Sequence, residues 1–283
     1  MHVDLHCHST ASDGECEPAE VARRAKAAGL AAIALTDHDT TDGVAAAAAE
    51  GERLGVRVVA GCEFSVKAPW GELHLLGYFL PLGTPRLETF LVETRAARRR
   101  RGEQIVAKLQ QLGIEIALDD VEAQAKGGAV GRPHVARALV ECEASDDISD
   151  AFSRYLGRGR PAYVEKPLPR LAEVTALLHE VGAVAVAAHL GDHGTEGQLR
   201  QFQEQGLDGL EVRHPSHAPS VEQRLTRIAE RLGLGISGGS DWHGDTEFGG
   251  NHAALGGMRI PLEWLELLEQ RRGLAKLSTR TSA

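Results

Sequence analysis

Two histidines one residue apart lie at the start of the chain, in VDLHCHSTASDG (residues 3–14), and Asp13 follows in the next loop. Imidazoles and carboxylates at such spacing can share a divalent cation. Strand side chains alternate with period two, so His6 and His8 project from one face, with Asp4 of the same parity, while Leu5 and Cys7 take the other. The pattern recurs. AIALTDHDTTDG brings Asp37, His38 and Asp39 to the end of an apolar run, and VVAGCEF brings Glu63. GELHLLGY carries His74, AVAVAAHLGDHG carries His189, and ISGGSDWHGD repeats the i, i+2 spacing with Asp241 and His243. Such a set is too large for one ion and implies a cluster of two or three, with Glu63 placed to bridge. Imidazole and carboxylate without cysteine suit Mn²⁺, Zn²⁺ or Fe²⁺. Neighbouring cations of that kind activate a shared water and clamp both oxygens of a displacement, which is phosphoester or amide hydrolysis chemistry.

These donors need a frame that gathers strand ends. The first part of the chain alternates strand and helix: VDLHCHS, then PAEVARRAKAAGL with Pro18 in its first turn and Gly29 as its stop, then AAIALTD. DGVAAAAAEGERLG reads as a second helix, capped near Thr41 or Asp42, before the strand VRVVAGCEFSV. A short pair around Trp70–Gly71 leads into ELHLLGYFL. From Leu87 to Glu180 long helical patterns take over, and βα rhythm resumes with AVAVAAHL, GLEVRHP and LGISGGSDWHG. Repeated βα units imply parallel strands whose carboxyl ends share one rim, where active sites assemble. The division expected is a barrel from residues 1–86 and 181–283, with 87–180 inserted as a helical module that caps the substrate.

Bulk properties narrow the class. The 283 residues are 42% hydrophobic and 25% charged, as in an ordinary globular protein. No run reaches the roughly 20 apolar residues of a membrane helix, and a net charge of −9 argues against a duplex-DNA surface. The donors begin near His2, which leaves no room for a cleavable leader ahead of them in this chain. Four cysteines (Cys7, Cys16, Cys62, Cys142) without CxxC spacing fit a reducing cytoplasm. The sequence assigns no oligomeric state.

The ordered motifs HVDLHCHSTASDG, LTDHD, GCE, ELHLLGY, AHLG and GSDWHG resemble those of the PHP (polymerase and histidinol phosphatase) metallohydrolases, at both ends of the chain. The resemblance implies an α/β fold, a distorted (β/α)7 TIM-like barrel with a trinuclear metal centre, Mn²⁺ foremost. Carried over by motif, His6, His8, Glu63 and Asp241 would hold one ion and Asp13, His38 and His243 a second. Glu63 would reach a third, completed by His74 and His189. Leu190 departs from the proline the family often has there. GRPHVARALV and YLGRGRPAYV look like the branch that removes the 3′-phosphate from nucleoside 3′,5′-bisphosphates, a branch that also trims short RNA from its 5′ end. By that resemblance Arg132, His134 and Arg158 would grip phosphate over the rim; the proton for the leaving oxygen would come from a nearby acid, with His134 the candidate, or from metal-bound water. Arginine's planar fork suits phosphate oxygens, and GRPH reads as a helix start. The alternatives are a 5′→3′ exoribonuclease, a histidinol-phosphate phosphatase, and a silent scaffold module; the full donor set disfavours the last.

Other residues carry plainer expectations. His2 should be buried beside the site, and Asp4, Asp37 and Asp39 should orient donor imidazoles. Cys7 and Cys62 should pack. His214 and His217 end a strand and leave both a site and a loop role open. His193 and His252 should be solvated, and His179 a surface residue. Arg98–Arg101 circle one helix, so they cannot share a groove, and a solvated face is the expectation.

Overall fold

The frame follows from where the apolar runs stop. The computed structural model describes residues 1–125, 127–245 and 253–278, with side chains of the last helix described to residue 272; His252 lies outside these. Strands β1 (His2–Cys7), β2 (Ala32–Leu35) and β3 (Arg57–Ala68) alternate with helices α1 (Pro18–Ala27) and α2 (Val44–Leu54). Pro18 opens α1, and Gly55 at φ 71° closes α2. The start of α2 differs from expectation: it carries no side-chain cap, and the Val44 N–H donates to the Thr41 carbonyl. The hairpin at Trp70–Gly71 turns β3 back into β4 (Gly71–Tyr78), antiparallel to both β3 and β5 (Val184–Ala187). Beyond β5 come α8 (Glu196–Glu204), β6 (Gly209–Arg213), α9 (Pro219–Leu232), β7 (Gly235–Gly238), β8 (Ile260–Pro261) and α10 (Leu262–Ser278).

Between β4 and β5 lie α3 (Pro85–Gln111), α4 (Leu118–Ala125), α5 (Arg132–Glu141), α6 (Ile148–Ala151) with a π turn at Phe152–Leu156, and α7 (Leu171–Glu180). Because β4 runs against its neighbours, the chain leaves it at the floor of the barrel. There Arg86 pairs with Glu180 at 2.7 Å, and α3, about 40 Å long at 1.5 Å per residue, climbs back toward the rim. Its first half joins the barrel core through Leu87 and Leu91. Its second half, through Ile105, Val106 and Leu109, joins a separate core with Val135, Leu139 and Leu156. Helix α7 packs on the barrel through Leu171, Val174 and Leu178. Apolar packing thus runs across the 86/87 and 180/181 limits.

Seven strands follow one another in sheet order from β1 to β7, with β8 antiparallel outside β1, and the hydrogen-bonded order stops there without returning to β7. The cylinder is nearly closed. Its seam is made by the Cys7–Trp242 bridge, the His8 N–H donating to the Trp242 carbonyl at 2.9 Å, and the buried Asp4 carboxylate. Asp4 accepts from the N–H groups of Ser240 (2.9 Å), Gly256 (2.7 Å) and His6 (3.3 Å). A side chain at Gly239 would lie 2.4 Å from the His6 Cβ, so the close approach of β7 to β1 requires glycine there. Register overturns one expectation about parity. Asp4 pairs with Ile33 and Cys7 with Leu35, so β1 holds one extra residue, a bulge that turns Asp4 to the side of Cys7 and away from His6 and His8.

Candidate metal centre

Every strand from β1 to β5, and the segment after β7, brings a donor to one rim. All nine expected donors meet there. Glu63, only 1% exposed, is the hub. Its Oε2 lies 3.1 Å from His6 Nε2, 3.2 Å from His8 Nε2 and 3.3 Å from His38 Nδ1. Its Oε1 faces His74 Nδ1 at 2.6 Å and His189 Nε2 at 3.1 Å, and those two nitrogens are 3.2 Å apart. Asp241 Oδ1 stands 3.2 Å from His6 Nε2 and 3.1 Å from His8 Nε2. Asp13 faces His243 Nε2 at 3.3 Å and His38 Nε2 at 3.7 Å. The donor atoms fall into overlapping groups, among them His6, His8, Glu63 and Asp241; His8, Asp13, His38 and His243; and His38, Glu63 and His74.

Strand ends are bent to achieve this. Asp39 (φ 52°), His189 (φ 26°) and Asp241 (φ 52°) sit in the left-handed region that side-chain-bearing residues rarely adopt. Electrostatics fit a cation. Burial alone would raise the Glu63 carboxyl, but the imidazoles of His38, His74 and His6 hold it well below the usual range. Asp13 is held down likewise, against burial, by His38 and His243. Against the same burial, hydrogen bonds to Asp241 and Glu63 push His8 up to about 10, and Glu63 pushes His74 to about 9, whereas burial drives His38 down to about 3. His38 Nδ1 is buried without a hydrogen-bond partner. Ionised carboxylates and unpartnered imidazole nitrogen facing one space are what divalent cations satisfy, so the donor set fits the expected cluster.

The outer partners differ from expectation. Asp4 closes the seam and orients no ring. Asp39 pairs with Arg98 at 2.6 Å. Asp37 accepts from Ser9 N–H (2.8 Å), Ser9 Oγ (2.7 Å) and Ser12 Oγ (2.6 Å), reaching His8 Nδ1 only through Ser12, 3.5 Å away. The direct orienters are Glu72 on His74 Nε2 (3.4 Å), the Asp241 carbonyl on His243 Nδ1 (2.8 Å), and Glu211 on His6 Nδ1 (3.0 Å). Sequence reading missed Glu211; its inward parity on β6 was the available signal. His214 belongs to the site, 3.4 Å from Asp241 Oδ2. His217 is a loop residue, bonded to the Val212 carbonyl and the Gly191 N–H. His2 is exposed, not buried. His193 is exposed and stacked 4.7 Å from Trp70, and His179 is partly buried on Asp208 at 2.9 Å.

The helical module presents cations beside the cage. Arg98 and Arg101, three apart on α3, are 9% and 8% exposed, while Arg99 and Arg100 between them face solvent. The expected solvated face therefore holds for half the run. Lys166 Nζ reaches Glu72 at 3.0 Å and Asp39 at 3.9 Å, and bonds Ser65 Oγ. Arg101 donates to the Val164 carbonyl, and burial together with neighbouring Arg132 lowers it to about 10. Arg132 sits by Phe152 and Tyr163, 5.6 and 6.0 Å from the ring centres. Arg158 is exposed, with its guanidinium near Gly71 at the hairpin tip. His134 is only 1% exposed; its Nδ1 accepts the Gly131 N–H at 2.9 Å, which places the ring proton on Nε2. An Nε2–H can donate to a phosphate oxygen, but burial lowers the ring to about 4, which leaves it neutral at pH 7 and a poor general acid.

The PHP domain profile matches residues 4–155. The chain is 36% identical over 256 residues to a 3′,5′-nucleoside bisphosphate phosphatase of Chromobacterium violaceum, covering 88% of this chain and 89% of that protein. It is 34% identical over 245 residues to a 5′-3′ exoribonuclease of Haemophilus influenzae, covering 85% and 89%. A crystal structure from Bifidobacterium adolescentis, assigned as a metal-dependent phosphoesterase, superposes with a TM-score of 0.87 at 34% identity, covering 95% of this chain and 96% of that one.

Proposed function

The chain belongs to the PHP domain family and is a metal-dependent phosphoesterase; from that premise we propose that it removes the 3′-phosphate from nucleoside 3′,5′-bisphosphates, such as adenosine 3′,5′-bisphosphate to AMP. His6, His8, Glu63 and Asp241 would hold a first Mn²⁺, Asp13, His38 and His243 a second, and Glu63, His74 and His189 a third. When bound, the cluster supplies Lewis-acid chemistry: it polarises the phosphoryl oxygens and makes water nucleophilic at neutral pH. The chain's own part is to grip the other phosphate. The helical module, residues 87–180, would cap the rim, with Arg101, Arg132 and Lys166 lining the cap side and Arg158 closing it at the hairpin tip. All four cysteines are free thiols, which supports a reducing cytoplasm as the working compartment.

One observation carries the substrate class. Two cations, Arg98 and Lys166, stand beside the cage on Asp39 and Glu72, and Arg101 and Arg132 lie close to one another in the same helical module. Among the described residues neither Arg101 nor Arg132 has a carboxylate in ion-pair range. Positive charge in excess next to a phosphoryl-transfer cage suits a substrate with a second phosphate. The Haemophilus relative favours a second reading, end-wise hydrolysis of short 5′-phosphorylated RNA, and the rings of Phe152 and Tyr163 beside Arg132 offer stacking surface for a base. Mn²⁺-loaded protein should be given nucleoside 3′,5′-bisphosphates, 5′-phosphorylated oligoribonucleotides and histidinol phosphate. The expected result is preferred phosphate release from the bisphosphate, with Arg101→Ala raising its KM at least tenfold and Glu63→Gln lowering kcat more than a hundredfold. Equal turnover of all three substrates rejects the substrate assignment.

A further inference from the structure

Strand β6 supplies none of the nine donors, yet its end is as buried as theirs: Glu211 is 0% exposed and His214 3%. Glu211 Oε1 lies 3.0 Å from His6 Nδ1, and its Oε2 accepts the His189 N–H at 2.7 Å. One carboxylate thus holds the ring of a β1 donor and the strained backbone of a β5 donor, whose φ is 26°. His214 completes the arrangement on the other side. Its Nδ1 accepts the Ser216 N–H at 3.1 Å, which leaves the proton on Nε2; that nitrogen lies 3.4 Å from Asp241 Oδ2 and is buried without a hydrogen-bond partner.

We propose that Glu211 and His214 are positioning residues that bracket His6, His189 and Asp241, so that β6 sets the geometry of donors from three other strands. The proposal rests on the metal-holding role of the nine donors. Tautomer is the first reason. With Nδ1–H given to Glu211, His6 presents a lone pair on Nε2, the atom 3.1 Å from Glu63 and 3.2 Å from Asp241. Position is the second. His189 stays in its unfavourable backbone conformation only if something holds its amide, and Glu211 does. His6, Glu211 and His214 also lie close enough to suggest a further cation site. Chemistry opposes that: both Glu211 oxygens face N–H donors, one of them a backbone amide, and a protonated His214 Nε2 has no lone pair to give.

The test compares wild type with Glu211→Gln, His214→Gln and the cage variant Glu63→Gln. Each is loaded with Mn²⁺, dialysed, and assayed by elemental analysis, Mn²⁺ titration and steady-state kinetics. Glu211→Gln keeps one acceptor oxygen but cannot serve both N–H groups. Its Mn²⁺ affinity should fall ten- to a hundredfold, with at least one ion per chain lost on dialysis. Its kcat should fall while KM stays within twofold, and excess Mn²⁺ should restore kcat, which it will not do for Glu63→Gln. His214→Gln should weaken Mn²⁺ binding about fivefold, and it decides the matter if Glu211→Gln does not fold. Wild-type Mn²⁺ affinity and kcat in the folded variants overturn the bracket while leaving the metal reading intact. A wild-type protein that retains no metal overturns the reading beneath it.

Discussion

His134 shows how a single side chain can be recruited by structure away from the chemistry its neighbours suggest. Its Nδ1 completes the first turn of α5, its Nε2 is buried facing the Ser12 backbone, and burial lowers it to about 4. The folded form resists the proton that the unfolded chain, near 6.5, accepts. Stability should therefore fall as pH drops from about 6.5 to 4, by up to about 3 kcal/mol from this group. His134→Gln, which keeps an acceptor for the Gly131 N–H, should lack that part of the slope. Urea unfolding of both proteins at pH 7 and pH 4.5 measures the difference. Most cage donors were legible because they lie at or near the end of an apolar run in the sequence. Glu211 was not, since a single glutamate in GLEVRHP has no donor two residues away to mark it. Arg98 and Arg101 were hidden by Arg99 and Arg100, although their spacing of three places them on one helix face.

Between elements, the contact with most at stake is Arg98 on α3 with Asp39 beyond β2. Both are buried, and Asp39 is the residue after the cage donor His38. Arg98→Ala would leave the Asp39 carboxylate buried with Lys166 at 3.9 Å as its remaining ion-pair partner. The expected cost is about 3 kcal/mol in urea unfolding, and Arg98→Met with Asp39→Asn should recover most of it. An unchanged midpoint in the single variant would show that the pair holds nothing together. Most elements could be read from the alternation of strand and helix signals and from Pro18, Gly29 and the Trp70–Gly71 turn. The bulge in β1 could not, because it appears only as a register difference against β2. Helix α4 escaped notice because LDDVEAQA is short and weakly apolar. The limits of the helical module were blurred for a physical reason: α3 is one continuous helix serving two cores, so no composition change marks where one ends.

At the scale of the whole molecule, a chain of net charge −9 keeps buried positive charge beside its cage. Bulk negative charge repels polyanions over most of the surface, and under the proposed function the cationic wall is where a small one would be drawn in. The same scale explains why the donors come from both termini. His6 and His8 stand on one edge of the barrel's seam, and Asp241 and His243 follow the strand on the other. The ring is split at that line, and backbone pairing alone fastens it lightly. Any cation shared by His8 and Asp241 acts as a buckle drawn through both ends, so loading the site and finishing the fold become one event. Saturating Mn²⁺ at a thousand times its Kd should raise unfolding stability by about 4 kcal/mol. It should also slow amide exchange at His8 and Ser240 more than in the middle of β3; equal exchange with and without chelator would mean the ring shuts unaided.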